Sequence, residues 1–175
     1  MNESTAPAVV REEKPEDYQE VRRVNEAAFG RPDEAELVEA LRDSGGPALS
    51  LVALHQGRVA GHIFFSPLSI ESQPASPTPM DLAPMAVLPE LQNRGIGSLL
   101  VTRGLQECLR RGFPFVFVVG HPRFYPRFGF FPASSRGLRC EYPVPDDVFL
   151  NGRVSPGSAG RVSRLGEIGP AFARL

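Results

Sequence analysis

The sequence predicts one α+β domain, in which helices flank a mixed central sheet. Strand-like and helical segments follow one another in the order strand, two helices, three strands, helix, strand, short helix, strand. The chain has 175 residues, a length typical of one domain. It shows no internal repeat and no linker long enough to separate a second domain. We therefore expect a flexible tail over residues 1–8 and a single domain over residues 9–175.

The first elements are a short strand and two helices. Residues 9–11 are apolar enough for a strand, and Pro15 with two acidic neighbours is typical of a helix N-terminus. Apolar residues then recur at helical spacing as far as Phe29. Asp33 is placed to cap a second helix, and the Ser-Gly-Gly-Pro run at 44–47 ends it.

Three strands follow. Residues 49–55 and 59–65 are strand-like and enclose a Gln-Gly-Arg turn, which predicts a hairpin. The proline-rich residues 66–79 are typical of a surface loop. Residues 81–88 form the fourth strand, and Pro84 within it predicts a local interruption of strand pairing, because proline has no amide hydrogen to donate.

The second half centres on a long helix over residues 94–111, whose apolar stripe includes Cys108 and which Gly112 follows. The dense apolar run 115–119 is typical of a strand buried inside a sheet. A short helix over 122–127 and a strand beginning at Phe130 come next. From residue 138 onward, we expect one or two short strands among loops.

Composition and charge exclude several classes of function. The net charge is −1 with no block of like charges, so nucleic acid is not the expected partner. The two cysteines lack metal-ligand spacing, and no metal is expected. The N-terminus lacks a secretion signal and no apolar run could cross a membrane, so we expect a cytoplasmic protein with no membrane partner. A homodimer is compatible with the sequence, which leaves the oligomeric state open.

The segment from Gln92 to Ser98, Gln-Asn-Arg-Gly-Ile-Gly-Ser, joins the fourth strand to the long helix and favours anion binding. The first amides of a helix have no internal partner, and the helix dipole adds positive potential there. Two glycines leave the backbone accessible to a phosphate, and Arg94 adds a planar cation. The run lacks the Gly-Lys-Ser/Thr of a Walker loop, and Leu100 stands where a dinucleotide loop has its third glycine.

These residues resemble the GNAT superfamily of acetyltransferases. Gln92, Gly95 and Gly97 match its phosphate-binding motif Arg/Gln-x-x-Gly-x-Gly/Ala. The run around Tyr125, which ends in Gly-Phe, is similar to a late segment of the same family and to a bacterial subgroup of small N-acetyltransferases. The resemblance extends over residues 9–175 and is specific over 82–100 and 121–131.

The resemblance implies a three-layer GNAT-like fold whose sheet splays between the fourth and fifth strands, with acetyl-CoA as co-substrate. It also implies that Tyr125 protonates the departing thiolate. The backbone of Met85 and Val87 would bind the acetyl and pantetheine amides. The cofactor-binding residues expected on this basis are Met85, Ala86, Val87, Gln92, Asn93, Arg94, Gly95, Ile96, Gly97 and Ser98.

The predicted function is therefore N-acetyl transfer from acetyl-CoA to a primary amine, by direct attack in a ternary complex. A non-catalytic CoA-binding sensor or interaction module on the same fold is the alternative, and a longer acyl donor is a third option. Asp81, His121 and Glu26 are candidates for the general base. The sequence does not identify the acceptor, and it offers no Ser-His-Asp order that would favour a hydrolase.

Overall fold

The structure is a computed structural model that describes residues 7–68, 77–140 and 142–163. Within these ranges it contains eight β-strands and three α-helices. The strands are β1 Val9–Glu12, β2 Leu49–His55, β3 Arg58–Pro67, β4 Met80–Val87, β5 Phe115–Val119, β6 Phe131–Pro132, β7 Phe149–Val154 and β8 Val162–Ser163. The helices are α1 Tyr18–Phe29, α2 Asp33–Asp43 and α3 Ile96–Arg110.

The strands form one mixed sheet in the order β1-β2-β3-β4-β5-β7-β6, and β8 pairs with β7. The pairing of β4 with β5 is parallel, whereas β1 with β2 and β5 with β7 pair antiparallel. The six-residue strand β7 lies between β5 and β6 in the sheet, in the region where the sequence predicted one or two short strands. The predicted fold class, a mixed sheet flanked by helices, is confirmed.

The parallel pairing of β4 with β5 ends early. Its register is Met80 opposite Val116 and Asp81 opposite Phe117, and no further pair follows among the described residues of the two strands. Yet β4 continues to Val87 and β5 to Val119. The ladder between the fourth and fifth strands is thus two residue pairs long.

Contacts along the chain define two compact units, Met1–Phe64 with Pro84–Val101 and Phe65–Ala83 with Thr102–Leu175. The core of the first unit joins α1, α2 and strands β2 to β4; its buried side chains are Val21, Val24, Val38, Val52, Val59, Phe64, Ala86 and Leu88. A cluster in the second unit contains Phe117, Ala133 and Leu138. Removal of these apolar surfaces from water stabilises each unit. The boundaries predicted for the tail and the single domain stay predictions.

Three local expectations need correction or limits. Asp33, expected to cap α2, is its first residue and Pro32 precedes it. The short helix expected over 122–127 is a 3₁₀ turn over Tyr125–Phe128, which Gly129 ends with a φ of 93°. Residues 1–6 of the predicted tail and 69–76 of the predicted loop lie outside the described residues.

None of the helices in the described ranges has the length and apolarity to cross a membrane.

Candidate active site

The connection between β4 and α3 has an unusual backbone that follows from its sequence. After the 3₁₀ turn Pro89–Leu91, Asn93 has a φ of 59° and Gly95 a φ of 84°. This left-handed region suits glycine and tolerates asparagine. A Cβ atom on Gly95 would meet nothing within 4 Å, so the space beside this residue is open. The loop therefore turns sharply into α3 and leaves room for a ligand against its backbone.

The start of α3 carries amide groups that the helix itself does not use. The amide of Leu99 donates to the carbonyl of Gly95 at 3.0 Å, which is the first such bond of the helix. The amides of Ile96 and Gly97 come before it, so the helix supplies them with no acceptor. Together with the helix dipole and the exposed Arg94, they can hold a diphosphate.

Gln92 fixes the loop to the strand before it. Its side-chain Nε2 donates to the carbonyl of Val87 at 3.1 Å, and the residue is otherwise exposed. The side chain therefore holds the end of β4 beside the loop. The expectation that Gln92 contacts the coenzyme stays a prediction, and in this geometry its contribution is to position the backbone.

Gly61 on β3 allows α3 to pack closely on the sheet. A Cβ there would lie 3.0 Å from Leu100 Cδ1, 3.1 Å from Ile96 Cγ2 and 3.2 Å from the Ala86 carbonyl oxygen. Ile96 and Leu100 are buried, as are Ala86 and Val87, whereas Met85 is half-buried. The sequence analysis missed Gly61, although a glycine inside a strand signals close backbone approach.

A second group of residues surrounds Tyr125. The tyrosine is 6% exposed, and its ring meets Phe124 and Phe130 edge-on at centroid distances of 5.1 and 5.8 Å. A Cβ on Gly120 would lie 2.3 Å from Cε2 of the ring. Gly120 therefore makes the space that Tyr125 fills. The sequence analysis missed this role, for which the only signal is a glycine directly after β5.

Asp81 lies at the last pair of β4 with β5 and is half-buried. Burial raises the pKa of its carboxyl to about 6. Burial, together with the charge of Asp81, also raises the pKa of the Tyr125 phenol well above its ordinary value. Tyr125 is therefore fully protonated near neutral pH, whereas Asp81 titrates near the pH at which a general base works best.

The other two candidates for the general base have different surroundings. Glu26 pairs with Arg22 at 2.9 Å, and His121 is exposed. His62 is fully buried within hydrogen-bond distance of Asn25 and Ser50, and burial lowers its pKa to about 3. It therefore stays neutral. Within the described part of the chain, no three His, Cys, Asp or Glu residues gather in a way that could hold a metal ion.

Comparison with known proteins agrees with this geometry. Residues 9–133 match the model of the acetyltransferase (GNAT) domain. The uncharacterized N-acetyltransferase YjhQ of Escherichia coli K12 is 40% identical over 134 residues, which cover 75% of this chain and 74% of YjhQ. The uncharacterized N-acetyltransferase YhbS of the same strain is 32% identical over 168 residues, covering 95% of this chain and 99% of YhbS.

Two solved structures extend the comparison. The crystal structure of YhbS from E. coli in complex with CoA has a TM-score of 0.81 and 30% identity, and the match covers 94% of this chain and 91% of that one. A GNAT acetyltransferase from Brucella melitensis in complex with acetyl-CoA has a TM-score of 0.70 and 34% identity, and the match covers 86% of this chain and 90% of that one. This chain therefore belongs to the GNAT family of acetyltransferases.

Proposed function

We propose that this GNAT acetyltransferase transfers the acetyl group of acetyl-CoA to a primary amine while both substrates are bound. The observation that carries the proposal is the start of α3, where the helix supplies no acceptor to the amides of Ile96 and Gly97 and the space beside Gly95 is open. The complexes of YhbS with CoA and of the Brucella protein with acetyl-CoA support the choice of coenzyme.

Acetyl-CoA would be held mainly by main-chain groups. The diphosphate would accept hydrogen bonds from the first amides of α3, and the backbone of Met85 and Val87 would bind the amides of the acyl and pantetheine chain. The bound thioester supplies an activated acyl group. Fixed backbone donors that face the developing negative charge on the thioester oxygen would stabilise it without reorganisation.

The chemistry needs one proton acceptor and one proton donor. We assign the acceptor role to Asp81, which would take a proton from the incoming ammonium group before nitrogen attacks the acetyl carbon. The carbon–nitrogen bond forms, the carbon–sulfur bond breaks, and Tyr125 would donate its proton to the departing thiolate of CoA. The second proton that leaves the nitrogen would restore the Tyr125 phenol, so that only the proton on Asp81 passes to solvent. General acid–base catalysis of this kind contributes about 10²- to 10⁴-fold to a rate.

The alternative is a CoA-binding module without catalysis, because a fold alone does not guarantee activity. The raised pKa of Asp81 favours the enzyme, since perturbed titratable groups gather at catalytic sites. Loss of acetyl transfer on removal of the Tyr125 hydroxyl would favour the enzyme over the non-catalytic CoA-binding module. The acceptor amine, the cytoplasmic location and the homodimer stay predictions.

The coenzyme site can be tested by thermal unfolding with acetyl-CoA. A ligand at one hundred times its dissociation constant stabilises the folded protein by about 2.7 kcal/mol. We expect acetyl-CoA to raise the melting temperature of the protein and to lose this effect in Gly97→Glu, whose carboxylate would repel the diphosphate. Gln106→Glu, an exposed change in the same helix, is the matched control and should keep the effect. An equal response in Gly97→Glu would contradict the proposed site.

A further inference from the structure

A basic pocket lies in the first unit. It is a cavity of about 530 Å³. Its walls come from α1, from the turn between β2 and β3, and from the loop before α3, each of which contributes one arginine: Arg23, Arg58 and Arg94. The volume lies within the range of small-molecule sites in proteins.

The charges around this basic pocket are unbalanced. The ionised side chains that line it are the three arginines and Glu90, which gives +3 − 1 = +2, in a chain whose net charge is −1. Glu20, just outside, lies 3.8 Å from Arg58 and also accepts the amide of Val59 at 3.0 Å. Arg23 and Arg94 form no ion pair or hydrogen bond within the described ranges. Two guanidinium groups are thus available to an anion.

The basic pocket also has an apolar part to its lining. Val59, Ala60 and Leu88 are buried and apolar, and Leu91 is half-buried. The amide of Leu88 donates to the carbonyl of Ala60 at 2.9 Å, so two of these residues are joined by their backbones. A lining of guanidinium groups and apolar side chains matches a ligand with an apolar body and a terminal oxyanion.

We propose that the basic pocket binds a small organic phosphate, separately from the coenzyme. The guanidinium group of Arg23 has no partner among the described residues, and that of Arg58 would exchange its contact with Glu20, 3.8 Å away, for the ligand. These two groups would hold the phosphate, and the apolar body would rest on Val59 and Ala60. This places a second ligand site beside the loop before α3, with Arg94 on the boundary between the two sites.

Phenyl phosphate is a suitable probe, because it combines a planar apolar ring with one phosphate. The protein is first saturated with CoA, which blocks the start of α3. Phenyl phosphate is then titrated while the backbone amide resonances of Gln56–Ala60 are followed by NMR, with phenol as the uncharged control. We expect saturable shifts with the phosphate and none with phenol. Binding should weaken at least tenfold in the double variant Arg23→Gln, Arg58→Gln. Arg103→Gln, an exposed change outside the pocket, should leave it unchanged.

Three results would overturn the proposal. The first is the absence of saturable shifts at millimolar phenyl phosphate, and the second is equal binding by the double variant. The third is binding to the free protein that CoA abolishes, which would assign the pocket to the coenzyme. If CoA itself fails to bind, the proposed function fails, whereas the titration of the free protein and the two arginine variants still decides this inference.

Discussion

Replacement of Asp81 by asparagine should make the folded protein more stable at neutral pH. Burial raises the pKa of this carboxyl from 3.8 to about 6. The folded state therefore binds more protons than the unfolded state between these two values. Stability contributed by the protonated carboxyl is present at low pH and is lost as the pH rises to 6. Above pH 6, both states hold an ionised Asp81, and the folded state bears the full cost of its burial.

The pKa difference sets the size of the effect. One pKa unit corresponds to 1.36 kcal/mol. Asp81→Asn should therefore raise the free energy of unfolding by about 3 kcal/mol at pH 7.5 and by only about 1 kcal/mol at pH 4.5. This is an upper limit, because the side chain is only half-buried. Contributions from other groups, such as His62, are common to both proteins and cancel in the difference.

Urea unfolding of the two proteins at pH 4.5 and 7.5 measures this difference directly. Asp146→Asn, a change at an exposed position, is the matched control and should alter the free energy of unfolding little at either pH. The reasoning fails if Asp81→Asn gives the same gain at both pH values, or a loss at pH 7.5. In either case burial would not be the cause of the shift, and the assignment of Asp81 as the base would lose its support.

Three further outcomes are expected. Tyr125→Phe should lower acetyl transfer by about 10²- to 10⁴-fold in a CoA thiol-release assay, with little change in acetyl-CoA affinity by calorimetry; unchanged turnover would favour the sensor. Gly129→Ala should cost at least about 2 kcal/mol in urea unfolding, because φ is +93° and the Cβ would lie 1.9 Å from the Val162 carbonyl oxygen. Gly112→Ala, with φ of +83° in open space, should cost about half as much. Because burial holds the pKa of His62 near 3, its contribution to the free energy of unfolding should fall by about 1.6 kcal/mol between pH 6.5 and 5, as the unfolded state takes up a proton. Denaturant titrations should show this fall as a change in the difference between the wild type and His62→Gln, in which the opposite contribution of Asp81 cancels.

The sequence predicted those features that depend on local pattern. Helical spacing gave α1 and α3, and the Gly-x-Gly at residues 95–97 predicted an accessible helix start, because positive φ at Gly95 is a property of glycine itself. Features that depend on tertiary packing were missed. The close fit of Tyr125 against Gly120 joins a strand end to a later turn, and no periodicity in the sequence reports such a contact.

The basic pocket illustrates the same limit for charge. Its three arginines lie on three different elements, and each alone is an exposed cation of no special interest. Net charge near zero favoured no anionic partner other than the coenzyme. Only the folded arrangement brings the arginines around one cavity, so composition could not have predicted the local excess.

The half-burial of Asp81 also explains how a carboxylate could serve as the base for an amine. An alkylammonium group has a pKa of about 10.4 in water, against about 6 for Asp81. Proton transfer between them would be uphill by roughly 6 kcal/mol if the amine kept its aqueous pKa. A site that excludes water raises the pKa of the carboxyl and lowers that of the ammonium group, so the difference between the two pKa values becomes smaller. Proton transfer to an aspartate of ordinary pKa would cost about 3 kcal/mol more free energy than transfer to Asp81. The burial that destabilises the folded protein at neutral pH therefore also makes Asp81 a better proton acceptor.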